Sequence, residues 1–202
     1  MKKIAIIDYG MGNIFSIKTA CQKASLSGII SCDEKEIMKS DAVILPGVGS
    51  FNAAMKKIKL KNLDKTLNKF FLTKKPMIGI CLGMQLFFEK SYEYSITKGL
   101  GLIKGEVNSI DKNNHLNIGW YEIKKKKSHK ILENIPDETH MYFVHSYVCK
   151  PESEKVILTE TFYNNNRFCS SIQNENLFGF QFHPEKSGEK GLNIYYSLKK
   201  LL

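Results

Sequence analysis

The chain reads as an α/β protein: a single open mixed, mainly parallel sheet flanked by helices, in one domain over residues 1–202. Three observations predict this. Short apolar runs at residues 4–8, 42–45 and 77–80 have the length and uniform hydrophobicity of strands covered on both faces. Each leads through glycine or proline into a helical pattern, and repeated strand–helix units imply parallel strands with helices on both sides. A length of 202 residues suits one domain with a substantial core.

The elements follow in order. After residues 4–8, Tyr9-Gly10-Met11-Gly12-Asn13 supplies turn chemistry, and residues 14–24 read as a helix with Ile14, Ile17, Cys21 and Ala24 on one face. Pro46-Gly47 ends the strand at 42–45. Residues 51–58 and 63–72 are helical, 77–80 is a strand, and 82–90 is a helix. The second half has more strand character, at residues 107–110, 120–123, 142–148, 156–159, 169–172 and 178–182. Asn164-Asn165-Asn166 and Asn174-Glu175-Asn176 are turns between them. Residues 191–202 form a terminal helix.

Composition narrows the function classes. Apolar residues make up 43% and charged residues 25%, as in ordinary globular chains. No apolar run approaches the ~20 residues that cross a bilayer, and the four apolar residues near the start are too few for a signal-peptide core. A cytoplasmic location is expected, with no membrane partner. The five cysteines are odd in number and lack a C-x-x-C pair, which argues against a disulfide framework or zinc site. The formal charge is +10, but Arg167 is the only arginine. Nucleic-acid readout leans on arginine, so no nucleic-acid partner is expected. The run Lys124-Lys125-Lys126-Lys127 reads as a solvated loop, with an acidic partner surface as the sharper alternative.

Cys81 stands apart. An isolated cysteine at a strand end is ordinarily a structural thiol. Here Gly79-Ile80-Cys81-Leu82-Gly83 places it between a strand and a helix, with glycines at the spacing of a nucleophile elbow. The turn is sharp and leaves no room for neighbouring side chains. It exposes the sulfur at the carboxyl end of the sheet and aims the first helix amides at it, which favours thiolate. The N–H of Leu82 is then free for an oxyanion.

Such a cysteine needs a base. The candidates are His115, His129, His140, His145 and His183. His129 sits in the lysine run, His115 and His140 lie in polar surroundings, and His145 follows an apolar strand. His183 is the best placed, because it ends a buried run and opens His183-Pro184-Glu185. Strand ends display catalytic groups, and Glu185, across a stiff proline, can orient the imidazole as the third member of a triad. A second loop, Pro46-Gly47-Val48-Gly49, can supply another oxyanion donor, or it is a plain turn with Ser50 as the cap of the next helix.

Pro-Gly-Val-Gly at 46–49, Gly-Ile-Cys-Leu-Gly-Met-Gln at 79–85 and Phe-His-Pro-Glu at 182–185 occur together and in order. In this the chain resembles the class I, triad-type glutamine amidotransferases over almost its whole length. It is similar in particular to the glutamine amidotransferase subunits of imidazole glycerol phosphate synthases, on Asp8–Asn13, residues 45–51, Tyr142–Tyr147 and residues 183–188.

The resemblance implies that Cys81 attacks the side-chain amide of glutamine, His183 moves the proton and Glu185 orients it. Amides of Val48 and Leu82, in loops carrying Gly47 and Gly49, would form the oxyanion hole. Gln85 and the backbone of His145, Ser146 and Tyr147 would hold glutamine. Ammonia would pass to a (β/α)8-barrel cyclase subunit in a heterodimer, for histidine biosynthesis, with Asn13, Trp120 and Lys186 at the interface. No metal or organic cofactor is implied. One segment departs: where the family carries Pro-His-Met-Gly-Trp-Asn, this chain has Leu116-Asn117-Ile118-Gly119-Trp120-Tyr121. The departure leaves open a paralogue that feeds ammonia to a barrel partner amidating a sugar for surface glycans.

Overall fold

The chain is described from a computed structural model, which covers residues 1–111, 116–164 and 166–202. His115 and Asn165 fall outside the described residues. The order is β1 (Lys3–Ile7), α1 (Ile14–Lys23), β2 (Ser27–Ser31), α2 (Glu34–Lys39), β3 (Ala42–Leu45), α3 (Phe51–Leu60), α4 (Leu63–Leu72), β4 (Met77–Ile80), α5 (Leu82–Gln85), β5 (Phe88–Ser91), β6 (Thr97–Lys98) and β7 (Ile103–Ser109). There follow β8 (Asn117–Lys125), β9 (Thr139–His145), β10 (Tyr147–Pro151), β11 (Ile157–Tyr163), β12 (Asn166–Asn174), β13 (Leu177–Phe180) and α6 (Gly188–Leu201).

Among the described residues, nine strands form the main sheet in the order β2-β1-β3-β4-β13-β12-β11-β8-β9. The first five run parallel and the rest alternate. The parallel strands are the uniformly apolar ones. Ile4, Ile6, Ile44, Ile78 and Ile80 pack on one side of the sheet against Ile17, Cys21 and α6. Ala5, Ile7, Val43, Leu45 and Met77 pack on the other against Met55, Ile58, Leu67 and Phe70. Each fully buried aliphatic side chain contributes roughly 1.5–3 kcal/mol, so both faces of these short strands stabilise the centre of the sheet.

The α/β class and the large mixed sheet match the sequence reading. A second sheet of four strands, β10-β7-β5-β6, is an addition to it. Two differences create that sheet. Residues 82–90 do not make one helix. Leu86, Phe87 and Phe88 are all buried, which no single helical face at the surface allows, and the chain turns extended at Phe88 to pair with Ile103. Residues 142–148 are two strands broken at Ser146. β9 pairs with β8 in the main sheet, while β10 pairs with β7 in the second. The sequence reading also passed over β2, a half-buried edge strand, and α2, a short helix with one buried residue whose Asp33 accepts from Glu36 N–H at 2.9 Å.

The lysine run is not a solvated loop throughout. Lys124 and Lys125 end β8, and Lys124 and Lys126 pair with Glu138 and Glu160 at 3.3 and 3.2 Å. Lys127 Nζ donates to the Lys155 carbonyl. No helix among the described residues is long and apolar enough to cross a membrane.

The turn after β4 has no spare volume. A Cβ on Gly83 would sit 1.9 Å from the Leu45 carbonyl oxygen, and one on Gly79 would sit 2.6 Å from Gly83 O and Met84 N. The obstacles are backbone, so they cannot swing aside. Gly83→Ala is expected to cost about 3 kcal/mol or more, read as a lower urea midpoint.

Candidate active site

The carboxyl ends of β3, β4, β13 and β9 lie along one edge of the main sheet, and the chemistry-bearing residues collect there. Cys81 follows β4 with φ 53° and ψ −112°, the left-handed strain of an elbow. Its N–H is held by the Phe180 carbonyl at 2.7 Å. Leu82 then opens a single helical turn, where a first-position N–H has no intrahelical acceptor.

His183 leaves β13 two residues after Gln181, and its N–H donates to the Tyr142 carbonyl at 2.9 Å. Its Nδ1 bonds Glu185 Oε1 at 2.8 Å, and both side chains are out of solvent. Ser187 Oγ donates to the His183 carbonyl at 2.7 Å, which closes the loop behind them. Nε2 is buried without a well-directed bond. Burial pulls the imidazole pKa down, but bonding and charge from Cys81 and Glu185 outweigh it and lift it to about 10. The shift favours the protonated ring beside the sulfur.

His145 is the opposite case. Burial holds its pKa down at about 3, against the effect of its bond to Tyr147. Nδ1 lies 3.0 Å from the Tyr147 carbonyl, which can only accept, so Nδ1 carries the proton. Nε2 then accepts from Asn117 Nδ2 at 3.1 Å.

The two histidines give opposite stability slopes. His183 has a folded pKa above the ordinary 6.5, so its contribution is full below pH 6.5 and fades as pH climbs towards 10. His145 is depressed, so its contribution is full above 6.5 and fades as pH falls towards 3. Urea unfolding of His145→Asn is expected to show a flatter acid limb than the parent between about pH 4 and pH 7.

A cavity of about 530 Å³ joins these groups, lined by Val48, Gly49, Cys81, Leu82, Gln85 and Glu93, among others. His145, Ser146, Tyr147, His183 and Lys186 lie on the same wall, so most of the sequence-predicted residues meet there. Gly47 does not line it. Its Cα packs where a Cβ would meet Leu82 Cβ at 2.7 Å, which makes it a spacer between the loop and the elbow. Asn13 is also away from the wall, at the start of α1. Trp120 is half exposed outside it, edge-on to Tyr142 at 5.9 Å, and Lys186 Nζ lies 5.7 Å from the same tyrosine ring. His129 is half-buried against Phe178, and His140 is exposed beside Glu122, both away from the sulfur.

Three residues escaped the sequence reading. Glu93 is buried on the cavity wall, and its Oε2 accepts from Phe51 N–H at 2.6 Å. It caps α3 in place of Ser50, which makes no side-chain cap. Burial raises its pKa, and the Phe51 bond opposes that. Tyr9 donates its hydroxyl to the Pro46 carbonyl at 2.8 Å, so the Asp8–Asn13 motif braces the loop at 46–49. Gln181 touches the sulfur itself, with Nε2 at 3.6 Å. Glu93 lies in a polar loop without a motif, and Gln181 is hidden inside an apolar run.

An elbow cysteine, a buried histidine–carboxylate pair and an open, polar-lined cavity beside them form the equipment of acyl transfer from an amide. Known proteins point the same way. The family model described as Glutamine amidotransferase class-I matches residues 5–197. The imidazole glycerol phosphate synthase subunit HisH of Aquifex aeolicus is 42% identical over 200 residues, covering 98% of this chain and 96% of that one. Its namesake in Pyrococcus furiosus is 41% identical and covers both chains completely. Among solved structures, PurLQS from Thermotoga maritima superposes with a TM-score of 0.79 at 15% identity, covering 99% of this chain and 98% of that one, a likeness of fold. By its matched length and its full-length relatives, the chain belongs to the class-I glutamine amidotransferase family.

Proposed function

We propose that this chain is the glutaminase subunit of an imidazole glycerol phosphate synthase, releasing ammonia from glutamine for a (β/α)8-barrel cyclase subunit. The observation that carries the reading is the buried His183–Glu185 pair set against the elbow sulfur of Cys81. Full-length identity above 40% to subunits of that name supports the histidine-pathway acceptor over a sugar.

The chemistry follows from the groups present. The sulfur of Cys81 attacks the carboxamide carbon of glutamine. The amide N–H of Leu82, with Val48 from the facing loop, receives the negative oxygen. His183 gives its proton to the leaving nitrogen, and ammonia departs from a γ-glutamyl thioester. His183 then takes a proton from water, which attacks the thioester and frees glutamate and the sulfur. Glu185 holds Nδ1 throughout and stabilises the imidazolium. Glu93 supplies the cavity with a carboxylate for the α-ammonium of glutamine, and the raised pKa of this acid falls back when that cation arrives. Trp120, Lys186 and Asn13 face the barrel subunit, through which ammonia travels.

The pathway is tested by complementation of a histidine auxotroph that lacks its own glutaminase subunit. Growth on ammonium-poor medium without histidine is the expected outcome. Failure to grow with a stable, expressed chain would redirect the ammonia to another acceptor.

A further inference from the structure

The Cys81 sulfur lies between two polar groups that prefer opposite protonation states. The Val144 carbonyl, 3.7 Å away, accepts from the S–H of a thiol. The amide Nε2 of Gln181, 3.6 Å away, donates and gains strength when the sulfur is an anion. Gln181 is fully buried, so its amide has no water to turn to.

We propose that Gln181 joins Cys81, His183 and Glu185 as a working residue, its amide N–H stabilising the Cys81 thiolate. A buried chain of hydrogen bonds running back to Asn117 fixes that amide in the donating orientation. Gln181 Oε1 accepts from Gln85 Nε2 at 3.1 Å. Gln85 Nε2 also donates to the Tyr147 carbonyl at 2.9 Å. The same carbonyl accepts from His145 Nδ1, and His145 Nε2 accepts from Asn117 Nδ2.

The polarity of this chain is dictated by its middle. A carbonyl oxygen only accepts, so both Gln85 and His145 must donate to it. With Gln85 presenting its NH₂ group towards Gln181, the Gln181 oxygen must face it, and the Gln181 NH₂ is left for sulfur. Turning Gln181 over would set two NH₂ groups against each other and an oxygen against the sulfur. Asn117, Gln85 and His145 are buried as well, so none of these bonds competes with solvent. Asn117 is therefore a positioning residue at the far end. It lies on β8 at the departure from the family pattern, next to Ile118 and Trp120, both half exposed.

The titratable groups around the sulfur leave room for such a donor. They are His183, backed by Glu185, and the neutral His145. Burial, then the charge of Cys81, raises the pKa of the Tyr9 phenol; burial, then Cys169 and Cys81, raises that of the Cys149 thiol. Glu93 and Lys186 lie on the same cavity wall.

This inference rests on Cys81 being the nucleophile, and its test is chosen to separate the two. Alkylation of Cys81 by iodoacetamide is followed across pH in the full chain, by mass analysis of its peptide, with glutamine hydrolysis measured beside it. Gln181→Met keeps the volume and removes the donor. The pH midpoint is expected to rise by about one unit, making alkylation about tenfold slower near neutral pH. Gln181→Glu is expected to raise it further, and Asn117→Leu to raise it less. Should Gln181→Met fail to fold, Gln181→Glu and Asn117→Leu carry the same comparison. If the variants that fold keep the parent midpoint and only melt earlier, Gln181 is a packing residue and the proposal falls. If the midpoints shift while the parent, assayed in complex with its barrel subunit, hydrolyses no glutamine, the donor role stands and the glutaminase reading fails.

Discussion

Cys81→Ala is expected to abolish glutamine hydrolysis, with a loss of about 10⁴-fold or more, because no other group in the cavity can form the thioester. The five cysteines include no substitute. Cys21, Cys149 and Cys169 are buried away from the cavity wall, and Cys32 is exposed elsewhere. The variant removes one sulfur from a site whose backbone is held by the Phe180 carbonyl and by tight glycine contacts, so its fold should be unchanged. On the proposed function, turnover with ammonia by the complex with a barrel cyclase subunit should survive, since that subunit would perform the later chemistry. Paired assays with glutamine and with ammonia check both halves. A variant that lost both would point to a structural role for the thiol.

Glu185→Ala is the second large effect. The carboxylate is fully removed from solvent and holds the Nδ1 of an equally buried ring. Without it, His183 loses its orientation and the charge that keeps it protonated, and its pKa should fall well below its present value of about 10. Removing the orienting carboxylate from a triad costs about 10⁴ in kcat. The expected signature is a kcat loss of that size with little change in KM for glutamine, together with a weaker alkaline limb of stability. A KM effect alone would assign Glu185 to substrate binding.

The parts of the fold that were legible in the sequence are those where one physical demand governs each residue. β1, β3 and β4 are buried on both faces, so their apolar runs had no alternative reading, and α1, α3 and α4 between them carry clear amphipathic stripes. The second sheet was hidden because burial there comes from tertiary packing. Leu86-Phe87-Phe88 continues a helical pattern by composition, yet all three side chains are enclosed. Residues 142–148 look like one strand, and the switch at Ser146 depends on which sheet each half can pair with. The site divides in the same way. Cys81, His183 and Glu185 stand in turns whose glycine and proline spacing has a steric cause. Glu93, Tyr9 and Gln181 act through hydrogen bonds between segments 37 to 100 residues apart, and no local pattern records such pairings. Gly47 was misplaced for the converse reason: a glycine in a loop reads as access to ligand, whereas here it makes room for Leu82.

The central claim is that the Cys81 sulfur attacks the side-chain carbonyl of glutamine. A glutamine analogue bearing a diazomethyl ketone in place of the amide tests it most directly: it sets a reactive carbon beside the carbonyl, and once that carbon is protonated the sulfur displaces N₂ from it and leaves a stable thioether. Peptide mass analysis after incubation is expected to find one adduct, on Cys81, with protection by excess glutamine and no labelling of Cys81→Ala. Labelling at another residue, or glutamine-independent labelling of Cys81, would contradict the account.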